Sequence, residues 1–134
     1  MGFRMWLRKR AAHLRVLDIS GGYGVYERTF ERVIEALQQH PDLKAVYSVG
    51  GGNRAIVDAF AALGRSLEVF IGHDLDEENR QLLAEEKIAA IIDHNLQIDA
   101  RQVFLHILQF HRLWKPGPIA PSQVQIVTPF NLPY

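Results

Sequence analysis

The 134-residue sequence contains no cysteine, so disulfides and thiolate-bound metals are excluded and nothing ties the fold to an oxidising compartment. It carries no net charge: 15 Lys and Arg side chains balance 15 Asp and Glu, leaving no global field to draw the chain to nucleic acid or anionic lipid. No apolar run approaches the roughly 20 residues that cross a bilayer, and the first residues lack the continuous apolar stretch of a signal peptide. These absences fit a cytoplasmic protein. Low-complexity segments are missing as well. There are six histidines, but none stand at metal-site spacing. His106 and His111 are five apart on one helical pattern, which does not put them on one face, and no His-Glu-x-x-His run occurs. No metal and no cofactor is expected.

What is present suits one domain with a real core. Basic residues cluster only at Arg4, Arg8, Lys9 and Arg10, interleaved with Trp6, Leu7, Ala11 and Leu14, the pattern of an amphipathic helix with a solvated face. Beyond it, β-rich runs at residues 14–20, 45–49, 67–72, 89–93 and 124–128 alternate with helical patterns. Phe30, Val33, Ile34 and Leu37 form one helical stripe, and Ile56, Ala59, Phe60 and Leu63 another. A weaker helix spans residues 76–86, with Leu75, Leu82 and Leu83 as its apolar contacts. His40-Pro41-Asp42 closes the first of these helices, Gly64 caps the second, and Asp74 or Asp76 caps the third. Such alternation predicts a single α/β domain over residues 1–134: a mostly parallel five-stranded sheet with helices on both faces. One element exceeds that scheme. The helix at residues 99–115 carries Val103, Phe104, Leu105, Ile107, Leu108, Phe110, Leu113 and Trp114, more apolar surface than one sheet face can bury.

In an open parallel sheet, ligands sit outside the carboxyl ends of the strands, where helix N-termini aim N–H groups outward. Four segments fall there: Ser20-Gly21-Gly22-Tyr23-Gly24, Gly50-Gly51-Gly52-Asn53-Arg54, Gly72-His73-Asp74 and Asp93-His94-Asn95. Glycines let backbone approach a ligand, while Asn, Asp and His supply directional donors and acceptors, a rim suited to an uncharged polyhydroxylated molecule. The same glycines also serve as simple turn formers. No Lys-Ser/Thr follows the second run, so it is not a P-loop, and the first lacks dinucleotide spacing. His73 and His94 are the two histidines at this rim; for His73 a structural hydrogen bond and a ligand contact are equally open. Asp74, Asp93 and His94 stand at no catalytic spacing, and an enzyme is not expected.

The stretch Pro41-Asp42-Leu43-Lys44-Ala45-Val46-Tyr47-Ser48-Val49-Gly50-Gly51-Gly52-Asn53-Arg54 resembles the effector domains of the lactose-repressor (LacI) family of transcription regulators. The likeness continues through Val69-Phe70-Ile71-Gly72-His73-Asp74-Leu75, Arg80-Gln81-Leu82-Leu83 and Ala90-Ile91-Ile92, and the tail Phe130-Asn131-Leu132-Pro133 is similar to the family's. It is strong over residues 41–95 and weaker outside them. The resemblance implies one subdomain of a type 1 periplasmic-binding-protein fold, with a sugar or small polar effector held between two such subdomains. It also implies that DNA is reached only through an N-terminal helix-turn-helix domain absent from this chain. Carried over residue by residue, it assigns effector contacts to Tyr23, Asn53, Asp74 and His94. Two departures stand out: relatives often have an aspartate near the Gly51-Gly52-Asn53 turn, and glutamine-aspartate where this chain has His94-Asn95. A histidine still hydrogen-bonds a hydroxyl.

The resemblance further implies that the helix at residues 99–115 packs on the missing first subdomain. Without that cover the chain is expected to form homodimers or larger assemblies, exchanging this helix and the last strand between copies. Two other readings stay open: a periplasmic sugar-binding protein of a transporter, and a small flavodoxin-like enzyme.

Overall fold

In the computed structural model, which describes residues 2–133, helix α1 (Gly2–Arg10) leads through an irregular segment to α2 (Tyr26–Gln39). There follow β1 (Ala45–Tyr47), α3 (Asn53–Ala62), β2 (Val69–His73), α4 (Glu77–Ala84) and β3 (Ala90–His94). Helix α5 (Leu96–Phe110) and β4 (Val124–Val127) complete the order. The expected helix stripes are the buried ones: Val33 and Leu37 of α2, Ile56, Ala59 and Phe60 of α3, and Leu82 and Leu83 of α4. They meet Phe70, Ile88, Ile91 and Val127 in one core. Each fully buried Phe or Leu there contributes about 1.5–3 kcal/mol of transfer free energy. Helix ends follow the local chemistry. Gly64 turns the chain out of α3 at φ +62°, where Arg65 N–H reaches the Phe60 carbonyl at 2.8 Å. Of the two aspartates before α4, Asp76 is the cap, its carboxylate accepting from Asn79 N–H at 2.8 Å.

The sheet has four strands in the order β1-β2-β3-β4, and it is mixed. Strands β1, β2 and β3 are parallel, whereas β4 runs antiparallel to β3. Both features correct the five-stranded, mostly parallel expectation. Residues 14–20 form no strand: among the described residues no backbone hydrogen bond joins residues 15–20 to β1. Adjacent Val16 and Leu17 are both half-buried while Leu14 and Ile19 are exposed, which breaks the alternation a sheet requires. The segment is held by side chains instead, through Arg4 with Asp18 and Arg15 with Asp42. The reversal of β4 follows from α5. A parallel strand needs a crossover helix that carries the chain back to the amino ends. None of the 15 residues of α5 is buried, so α5 does not lie back across the sheet, and β4 begins beside the carboxyl end of β3, pairing Val124 with His94.

The helices cover the two faces unequally. Strand alternation places Phe70, Gly72, Ile91 and Val127 toward α2, α3 and α4. The opposite face holds Tyr47, Ile71, His73, Ala90, Ile92, His94, Val124 and Ile126, which the pairing register aligns with one another. There α1 supplies a partial cover, with Phe3 stacked on Tyr47 at 4.3 Å between ring centroids.

Candidate functional site

Three strands end on polar rings: β1 on Tyr47, β2 on His73 and β3 on His94. The register aligns Tyr47 with Ile71 and His73 with Ile92, so each ring stands two residues further along than the one before. The three therefore step diagonally up the sheet face turned away from the core. Tyr47 Oη lies 2.7 Å from His73 Nε2, and the His73 ring stacks on His94 with centroids 5.9 Å apart. Asp74, directly after β2, adopts the left-handed φ of +61° and brings its Oδ1 to 3.1 Å from His94 Nδ1. A carboxylate only accepts, so Nδ1 carries the proton, and in that tautomer Nε2 is the nitrogen that can accept from an incoming hydroxyl.

Beneath this row lies a buried amide pair. Asn79 Nδ2 donates to the carbonyls of His73 (3.0 Å) and Asp74 (2.8 Å), which fixes its orientation and leaves Oδ1 to accept from Asn53 Nδ2 at 2.7 Å. Leu75 N–H donates to Asp93 Oδ1 at 2.9 Å, tying the same turn to β3. The unusual backbone of Asp74 is thus held from two sides. Glycine at position 72 makes room for the pair, because a Cβ there would stand 3.3 Å from Asn53 Nδ2 and 2.8 Å from Ile91 Cδ1.

The four expected contact residues fall at one end of the sheet but in different environments. Asp74 and His94 are hydrogen-bonded to each other at the surface. Tyr23 is 83% exposed at φ +52°, with the Arg28 guanidinium over its ring. Asn53 has 0% of its surface accessible and belongs to the amide pair, its Oδ1 buried without a partner. Its loop meets that of Tyr23 backbone to backbone: a Cβ on Gly24 would lie 3.8 Å from Gly51 Cα. Tyr47 and Asn79 escaped the sequence reading. Tyr47 joins the site only through sheet register, and Asn79 occupies an early helical position that is commonly solvated.

The two glycine loops close on Thr29. A Cβ at Gly22 would stand 2.5 Å from Thr29 Oγ1 and 3.3 Å from Thr29 Cα. We expect Gly22→Ala to cost about 1–3 kcal/mol, as overpacking does, visible as a lowered urea midpoint at unchanged slope. Gly50→Ala, with open space around its Cβ, serves as the mild control.

Charge pairs brace the surrounding helices. Arg54 makes two hydrogen bonds to Glu85, at 2.8 and 3.2 Å, and its N–H donates to Glu78 at 3.1 Å. The bonds from Arg54 hold the Glu85 carboxyl below its ordinary 4.5. Tyr26 Oη donates to Asp58 at 2.7 Å, and that bond raises the phenol above its ordinary 10.0. The signs are opposite. The Glu85 contribution is full above 4.5 and is lost as pH falls through the lowered folded value; the Tyr26 contribution is full below 10.0 and is lost as pH rises through the raised one. Glu85→Gln should flatten the acid limb of a melting-temperature profile, and Tyr26→Phe the alkaline limb. A Glu85→Gln profile parallel to wild type below pH 4.5 would contradict the first assignment.

Among the described residues, no cluster of three or more His, Asp or Glu side chains is arranged to hold a metal ion. Two open hollows, lined by Arg112, Leu113, Trp114 and Lys115 and by His106, Ile107 and Phe110, run along α5 and its end; neither touches the strand-end row.

No protein-family model and no curated protein sequence matches the chain. Solved structures do. The glucose-galactose binding protein GanP of Geobacillus stearothermophilus superposes with a TM-score of 0.79 at 19% identity, over 99% of this chain and 48% of its own. The sugar-binding protein of a sugar ABC transporter from Bacillus halodurans gives 0.77 at 19%, over 98% and 50%. A protein assigned as a LacI transcriptional regulator from Bacteroides fragilis gives 0.77 at 18%, over 97% and 45%. The chain has the fold of periplasmic-binding-protein domains. It spans about half the length of the structures it matches. At this identity the likeness establishes the fold alone. Within that fold, the row Tyr47, His73, His94 with Asp74 occupies the strand carboxyl ends, the position from which open α/β sheets engage ligands.

Proposed function

We propose that this chain is the sugar-binding subdomain of a LacI-type transcription regulator and is not an enzyme. The observation that carries it is the Asp74 and His94 pair at the strand ends, 3.1 Å apart. It offers a carboxylate and an imidazole acceptor side by side, complementary to the vicinal hydroxyls of a neutral sugar. Tyr23, exposed on the neighbouring loop, supplies a flat ring for the sugar's apolar face, and buried Asn53 acts through the loop it anchors. The Pro41 to Arg54 stretch favours the regulator reading. In that reading the protein works in the cytoplasm, and DNA is contacted through a separate N-terminal domain. A transporter's sugar-binding protein is the second reading, favoured by the sugar-binding names among the structural neighbours.

One subdomain offers half a cleft, so binding by this chain alone should be weak, with Kd on the order of 1 mM, worth about 4 kcal/mol. NMR titration with D-galactose, D-glucose and L-arabinose should displace Asp74 and His94 signals for at least one sugar. His94→Ala and Asp74→Asn should each weaken that sugar roughly three- to tenfold, the worth of one hydrogen bond. Sugars that leave both residues undisturbed would refute the site, and micromolar binding would refute the half-cleft.

A further inference from the structure

Among the described residues, the ring of His94 has two neighbours that fix it: the Asp74 carboxylate at Nδ1 and the face of His73. The Asp74 bond sets which nitrogen is protonated, but a single hydrogen bond leaves the ring free to swing about it. The second constraint comes from His73, which is itself held by the Tyr47 hydroxyl at 2.7 Å and by an edge contact with the Tyr47 ring, centroids 5.4 Å apart. Tyr47 in turn is pinned by Phe3 of α1, nearly parallel to it at 18°. Four rings from three strands and one helix therefore form an unbroken series that ends at the proposed sugar contact.

We propose that Tyr47 and His73 are positioning residues for His94, and that the docking of α1 through Phe3 sets how firmly the ligand-facing imidazole is held. This rests on the reading of Asp74 and His94 as the sugar site, but the arrangement exists without ligand and is tested without it. Two features argue for a built device. The Tyr47 hydroxyl and His73 Nε2 satisfy each other in a half-buried place, where an unmatched polar atom carries a penalty. And the row lies on the sheet face opposite the main core, so it does not belong to the packing that stabilises the domain.

The test is the histidine-ring 15N spectrum of the whole chain, which reports tautomer and environment for each imidazole. Tyr47→Phe keeps the stack on Phe3 and removes only the hydroxyl. It should displace the ring signals of both His73 and His94 while leaving His13, His106 and His111 in place. His73→Phe retains a flat ring and should leave His94 closer to its native signal than His73→Ala, which should displace and broaden the His94 signals as the ring swings about its Asp74 bond. Affinity for D-galactose, if that is the sugar bound, should drop roughly three- to tenfold in Tyr47→Phe, the equivalent of one hydrogen bond. Backbone amide spectra confirm that each variant is folded. Unmoved His94 signals in both Tyr47→Phe and His73→Ala overturn the proposal, whatever the sugar titration shows. Displaced His94 signals in a chain that binds no sugar sustain the positioning role and overturn the sugar-binding function instead.

Discussion

Replacing Asn79 with alanine should destabilise the domain more than any substitution at its surface. The side chain makes three hydrogen bonds: two part-buried ones from Nδ2 to the His73 and Asp74 carbonyls, and a buried one accepted from Asn53. Its removal takes their partner from two part-buried carbonyls and from the side-chain amide of Asn53, a residue 0% exposed. Each orphaned group costs about 1–3 kcal/mol, so a loss of roughly 3 kcal/mol or more is expected, a large part of a marginal domain's stability. Asn79→Asp separates the bonds. It preserves the acceptor for Asn53 but sets a negative oxygen against two carbonyl oxygens. Protonation relieves that clash, so the variant's deficit relative to wild type should shrink as pH falls from 7 to 4. Urea titrations at both pH values measure this. A deficit under 1 kcal/mol for Asn79→Ala would mean that water replaces the amide and that the Asp74 turn does not depend on it. The same substitution reaches the site, because Asp74 holds a left-handed backbone that few residues adopt unassisted.

How much of this was visible in the sequence divides along a physical line. Apolar patterning gave the three core helices, whose stripes hold Leu37, Phe60 and Leu83, and the places of all four strands. It misled at residues 14–20, where β-rich composition is present without a paired edge, and at β4, whose direction depends on where α5 goes rather than on its own residues. Asp74 and His94 were legible as residues of one sheet end, since any strand-helix junction in such a sheet faces the same way, but their hydrogen bond was not. The environment of Asn53 was not. An asparagine opening a helix after three glycines reads as exposed, and only the position of Asn79 on the next helix draws it inward. The excess apolar surface of α5 was legible, and its consequence can be measured.

That helix exposes Phe104 (59%) and Phe110 (84%), with Trp114 (57%) just beyond its end, and no residue of α5 is buried. In water such a surface seeks cover, and β4 adds Val124 and Ile126 on the open face of the sheet. At tens of micromolar we expect the chain to self-associate, giving a sedimentation coefficient above that of a 15.3 kDa monomer. Phe104→Asp with Phe110→Asp should reverse this. Full burial of each phenyl ring is worth about 1.5–3 kcal/mol, so losing both weakens association by roughly a hundredfold or more. The double variant should keep its helical circular dichroism and its urea midpoint, because neither ring contributes to the core of its own chain. Helix α5 is capped by Asn95, one residue past His94, and the Asn95 side chain accepts from Ile98 N–H, so its packing and the proposed sugar site are joined at a single turn. Adding the sugar that displaces His94 should therefore change the association constant of wild type and leave the double variant monomeric. A wild-type chain that sediments as a monomer at 100 times the concentration at which its α5 surface is first tested, on the order of millimolar, would show that these rings tolerate solvent and that α5 needs no partner.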